Sequence, residues 1–258
     1  MKRLFLGTAA VGLFLGIAGK AKAEEYSFTT FDAPGSTATN PLGGGINDAD
    51  QIVGSYDDIV NGITHGYLLR HGRYTPLDFP DAILTRANAI NDLGQIVGMY
   101  RDAGDILHGF LRMSDGKYSP IDFPGAGTTT ARGINASGLI VGGYDQAPGM
   151  IFLHGFLRMS DGKYSPIDFP GAVGLNEAQD INDPGQIVGR YDDADGIRHG
   201  FLLSGDSYTT LDPPGSTDTI AWKINDCGLI VGTYVDAGGS NHGFLATPSR
   251  EAGTLTLD

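Results

Sequence analysis

The chain has 258 residues, with 17 Lys and Arg against 30 Asp and Glu, a formal charge of -13 and one cysteine, Cys227. That balance argues against nucleic acid or an anionic membrane as partner, since both require a basic face to displace counterions. A lone cysteine rules out an intrachain disulfide, so stability must come from packing and ladder hydrogen bonds.

Residues 1–23 begin with Lys2 and Arg3, continue through an apolar run from Leu4 to Ala18, and end in Ala21-Lys22-Ala23. This is the layout of a secretory signal cleaved after Ala23, and the run is too short for a comfortable membrane anchor. Cleavage removes four cations and no anion, which takes the charge from -13 to -17. The expectation is a secreted or periplasmic monomer without membrane insertion, folded as one domain over residues 24–258.

The rest of the chain repeats. Ile-Asn, a turn, Ile-Val-Gly, a gap and His-Gly-Phe/Tyr occur five times, with the Asn at Asn47, Asn91, Asn135, Asn182 and Asn225. The His falls at His65, His108, His154, His199 and His242, and residues 108–126 and 154–172 are identical. A period of 43 to 46 residues signals a repeat architecture.

The third copy reads as four strands. Thr129 to Asn135 ends in the turn Asn135-Ala136-Ser137-Gly138; Leu139 to Tyr144 is apolar and β-branched; His154 to Met159 and Lys163 to Asp168 flank Ser160-Asp161-Gly162. Four antiparallel strands per repeat and no helical periodicity match the blade of a β-propeller. Pro76, Pro120 and Pro166 fall in the fourth strand, which proline confines to a sheet edge, so the first strand lines the axis.

The expected fold is therefore all-β, a five-bladed β-propeller with blades at about 42–80, 86–124, 130–170, 176–214 and 220–247. The last blade lacks a fourth strand. Residues 26–33 supply one, because Phe31-Asp32-Ala33-Pro34-Gly35-Ser36 copies Leu211-Asp212-Pro213-Pro214-Gly215-Ser216. Pairing it there closes the ring and removes an exposed edge, a role for which Thr254 to Asp258 competes.

The combination Ile-Asn, Gly-x-Ile-Val-Gly and His-x-Phe resembles the HAF-type extracellular repeat family over roughly Tyr26 to Thr247. The chain departs from the family's His-Ala-Phe by reading His-Gly-Phe or His-Gly-Tyr. The resemblance implies an exported β-repeat module and assigns no catalytic residue.

Residues present in every copy are explained first by what each blade needs. The five His are read as anchors of neighbouring loops rather than a metal ring, and the five Asn as turn residues. Loop carboxylates are richest at Asp192, Asp193 and Asp195, which are candidates for calcium although the spacing and distal Glu of an EF-hand are missing. No other cofactor is expected.

The copies differ on their innermost strands. Two residues before the Ile stand Gly44, Asn88, Arg132, Gln179 and Trp222; four before stand Leu42, Arg86, Thr130, Glu177 and Ile220. Strand alternation puts both rows on one side, converging near the axis. Arg86, Asn88, Arg132, Glu177, Gln179 and Trp222 are thus the candidate ligand residues, for a carbohydrate or other small polar ligand, unless they simply fill the channel. A polysaccharide-active enzyme using the same funnel would need two carboxyl groups about 5 to 9.5 Å apart, and Glu177 and Asp180 are its candidates. A structural surface repeat is the remaining alternative.

Overall fold

The computed structural model describes residues 33–60, 62–146 and 154–248, the side chains of 37–43 excepted. The signal segment, the closing strand apart from Ala33, and Thr254 to Asp258 lie outside the described residues. Within these bounds the chain is all-β, without a helix.

The first three repeats each form a four-stranded antiparallel sheet in simple sequence order. They comprise β1 (Ser36–Ile46), β2 (Gln51–Asp58), β3 (Thr64–Arg70) and β4 (Arg73–Pro76); β5 (Leu84–Ile90), β6 (Ile96–Arg101), β7 (Leu107–Arg112) and β8 (Tyr118–Ile121); then β9 (Thr128–Ile134), β10 (Ile140–Asp145), β11 (His154–Arg158) and β12 (Tyr164–Ile167). The fourth repeat supplies β13 (Asn176–Ile181), β14 (Ile187–Asp192), β15 (Arg198–Ser204) and β16 (Ser207–Leu211). The fifth adds β17 (Ser216–Ile224), β18 (Ile230–Asp236) and β19 (Asn241–Ala246), with no fourth strand among the described residues. One parallel pair, Arg198 opposite Asp218, joins the last two sheets. The prolines Pro76, Pro120 and Pro166 all lie on outer strands.

Sheets stack face to face through their apolar rows. Val53 and Leu77 of the first repeat pack on Ala87, Ile90, Ile96, Tyr100 and Phe110 of the second. The same arrangement recurs at the next two junctions, and Val188 packs on Ala221, Ile224 and Ile230 at the fourth. Glycine is required in Ile-Val-Gly because a Cβ on Gly98 would strike the Arg86 carbonyl and come within 2.8 Å of the Phe110 ring. Burial of these rows, at roughly 25 cal/mol per Å² of apolar surface, is the main adhesive between repeats.

Asn completes each junction. Its Oδ1 accepts the N–H four residues on, closing the turn, as Leu139 N to Asn135 at 3.0 Å. Its amide then crosses to the next repeat: Asn47 to the Asn91 carbonyl (3.0 Å), Asn91 to Asn135 (3.0 Å), Asn135 to Asn182 (3.1 Å) and Asn182 to Asn225 (3.0 Å). The fifth repeat differs. Val231 is 47% exposed where Val53, Val97, Val141 and Val188 are fully buried, and Ile46 on the first repeat is 66% exposed.

Candidate functional site

The five Ile-Asn turns surround one cavity of about 650 Å³. Its wall is made of Ile46, Ile90, Ile134, Ile181 and Ile224, and its rim carries Asp48, Asp92, Asp183 and Asp226. Three rim carboxylates also bridge repeats: Asp92 accepts from Asp48 N (2.9 Å), Asp183 from Ala136 N (2.8 Å) and Asp226 from Asp183 N (2.8 Å).

The position just before each Ile holds Gly45, Ala89, Gly133, Asp180 and Lys223. Gly45 and Ala89 line the cavity, Gly133 packs against Asp180, where a Cβ would come within 2.9 Å, and Asp180 and Lys223 put opposite charges on one side, 3.6 Å apart. Asp180 Oδ2 also accepts from Ile224 N at 3.2 Å. Burial pushes the Asp180 carboxyl above its usual range, although Lys223 pulls the other way.

A register irregularity in each first strand decides which side chains reach this cavity. Pairing skips from Ala87 to Ala89, from Ala178 to Asp180 and from Ala221 to Lys223, so Asn88, Gln179 and Trp222 are bulge residues. A bulge breaks the alternation on which the two variable rows were aligned. None of Arg86, Asn88, Arg132, Glu177, Gln179 and Trp222 lines the cavity; Asp180 does.

Four of those six gather elsewhere, around Glu177. Its carboxylate is completely buried and receives Arg132 Nε on Oε1 (2.8 Å), then Arg190 Nη2 (2.8 Å) and Gln179 Nε2 (2.6 Å) on Oε2. Burial alone would push the Glu177 carboxyl up, but the two guanidiniums outweigh it and hold it below its usual value. Arg190 lies 5.8 Å over the Trp222 ring, whose Nε1 donates to Thr233 at 3.0 Å. Asn88 donates to the Ala131 carbonyl at 2.8 Å, and Arg86 is exposed, with no side-chain partner among the described residues.

The recurrent His are clamped inside their own repeats. His199 stacks on Tyr191 with ring centres 5.0 Å apart, and its nitrogens face Asp212 (2.6 Å) and Asp193 (3.1 Å). His108 sits likewise between Asp122 at 2.9 Å and Asp102 at 3.5 Å. Asp193 Oδ1 takes Asp195 N and Ile197 N, both at 2.9 Å, so both of its oxygens are engaged. Asp192 receives Arg198 Nε at 3.2 Å, and Asp195 is exposed. No group of three or more metal-capable side chains occurs among the described residues. The sequence carries a signal for this clamp that composition hides: Asp stands six residues before His at Asp102, Asp193 and Asp236.

No family model matches the chain, and no curated protein is similar to it. Among solved structures, TolB from Acinetobacter baumannii aligns over 78% of this chain with a TM-score of 0.53 at 11% identity. The chain spans about half of that protein, 53% of its length. A mutant of the Aleuria aurantia lectin, in complex with Fucalpha1-6GlcNAc, aligns over 80% of this chain and 78% of its own with a TM-score of 0.46 at 15% identity. The likeness to TolB, with the four-stranded antiparallel sheets, makes this an all-β chain of β-propeller type.

Proposed function

We propose that the protein is an exported, non-catalytic binding module of the HAF-repeat type, a five-bladed propeller that takes a carbohydrate or another small polar ligand in its axial cavity. The strand ending at Phe31-Asp32 closes the ring on the fifth blade. Two observations support closure: turns from all five repeats share one cavity, and His242 faces Asp236 at 3.0 Å but has among the described residues no second Asp of the kind that His199 finds in Asp212. Asp32 is the matching residue in the copied sequence.

The observation that carries the ligand site is the Asp180 and Lys223 pair facing a wall otherwise built from small and aliphatic residues. A few polar groups converging in an apolar hollow are the usual make-up of a small-molecule site. Five carboxylates and one ammonium favour a neutral or cationic ligand such as a sugar or amino sugar over an anion. A panel of mono- and oligosaccharides tests it: binders should protect the wild type against heat, and Lys223→Met with Asp180→Asn should remove the protection.

The enzymatic alternative needs two free carboxyls across one bond. Glu177 is committed to two arginines and a glutamine outside the cavity, so it does not face a bond together with Asp180, and three of the four rim aspartates are engaged by backbone N–H groups. That arrangement favours binding over hydrolysis.

A further inference from the structure

The first repeat carries a cationic patch, opposite in charge to the carboxylate-rich axial cavity. Its outer hairpin, between β3 and β4, turns through His71 (φ 48°) and Gly72 (φ 73°), the two left-handed positions of a type I′ turn. That turn sets Arg70 directly across from Arg73. Like charges facing each other on paired strands destabilise a hairpin, so the fold gains nothing from this pair.

Other repeats neutralise the same tip. In the second, Lys117 is held by Asp115 at 2.9 Å; in the third, Lys163 is held by Asp161 at 2.6 Å. Arg70, His71 and Arg73 are exposed, and among the described residues none has an ion pair. They line a groove of about 730 Å³ between the first two repeats, together with Arg112, Gln51 and Thr75. The one carboxylate in its lining, Asp92, already accepts from Asp48 N at 2.9 Å.

From this juxtaposition we infer that the groove between the first two repeats binds an acidic polysaccharide, with Arg70, Arg73 and Arg112 holding its carboxylate or sulfate groups. Guanidinium matches planar oxyanions in a bidentate fork, and the amide of Gln51 and hydroxyl of Thr75 are suited to sugar hydroxyls. A bound oxyanion also relieves the repulsion between Arg70 and Arg73. A broad polyanionic surface is a poor fit, because beyond this groove it meets a chain of net charge -13. A single polysaccharide strand can lie in the groove without approaching the rest.

The test uses the full mature chain on immobilised dextran sulfate and polygalacturonate, with neutral dextran as control. Wild type is expected to be retained on at least one acidic matrix, to elute as salt rises and to pass neutral dextran. The double variant Arg70→Gln/Arg73→Gln should lose about tenfold or more in affinity and show a shallower salt dependence, as expected when two cation contacts are removed. Without ligand it should melt no lower than wild type, and if it does not fold, Arg73→Gln alone is read in the same way. No retention of wild type, undiminished retention of the variant, or equally tight binding to phosphatidylglycerol vesicles or single-stranded DNA overturns the proposal. Asp180→Asn should leave this retention unchanged, which separates the groove from the axial cavity.

Discussion

The side-chain amide of Asn135 donates to the main-chain carbonyl of Asn182 at 3.1 Å, while Oδ1 of the same Asn135 closes its own turn. One residue thus fixes both a hairpin and a junction between repeats. Asn135→Ala should cost about 1 to 3 kcal/mol in chemical denaturation, the range for leaving a buried polar group unpaired. Asn225→Ala distinguishes the state of the ring. In a closed ring it should cost as much as Asn135→Ala, and in an open one clearly less, because Asn225 is exposed in the described residues.

Glu177 anchors the polar cluster. Glu177→Ala leaves Arg132 and Arg190 partly buried without their counter-charge and should destabilise by about 3 to 5 kcal/mol, read from urea midpoints at neutral pH. Because the folded carboxyl titrates below its ordinary 4.5, its stabilisation is complete above that value. It fades as pH falls through the depressed folded value, so wild type and Glu177→Gln should converge in strong acid.

His199 has the opposite sign. Burial pulls its imidazole down, but Asp212 and Asp193 outweigh this and raise it above 6.5. A raised folded value means that the stabilisation is whole below 6.5 and is lost as pH climbs through the folded value. The stability gap between wild type and His199→Gln should therefore be wider at pH 6 than at pH 9, measured by denaturant titration at both. A constant gap would reduce His199 to packing against Tyr191.

Asp180 is a largely buried carboxylate whose ionised form is disfavoured by its surroundings. Its raised folded value makes the ionised form costly, so stability falls as pH rises from the ordinary 3.8 through that value. Asp180→Asn should stabilise the protein at neutral pH, since it removes a buried charge, an amide can still accept from Ile224 N, and the Lys223 ammonium left behind is partly exposed to water. The gain should vanish near pH 3, and thermal melts across that range check it.

Strand order was legible because its signals are local. The Asn-x-x-Gly turn at Asn135 to Gly138, the apolar, β-branched run after it and Pro166 in an outer strand place β9 to β12 within about one residue of where they lie. The wall of the cavity was not legible. It depends on one extra residue, Gln179 between Ala178 and Asp180, that breaks the period of two, and nothing in the composition of that strand marks the skip. Counting from Ile181 by strict alternation leads to Gln179 and Glu177, whereas the cavity is met by Asp180. The gathering of Arg132, Glu177, Gln179 and Trp222 could be anticipated from the unlike rows, but Arg190, which links the carboxylate to the indole, comes from the second strand and was missed.

The most direct measurement is the melting temperature of the protein with each saccharide of a broad panel, for wild type and for Asp180→Asn/Lys223→Met. A ligand at about 100 times its dissociation constant adds about 2.7 kcal/mol, or roughly 5 to 10 °C for a domain of this size. A rise of that order in wild type, absent from the double variant, is the expected result. No rise with any saccharide, or the same rise in both proteins, would contradict a saccharide site at Asp180 and Lys223.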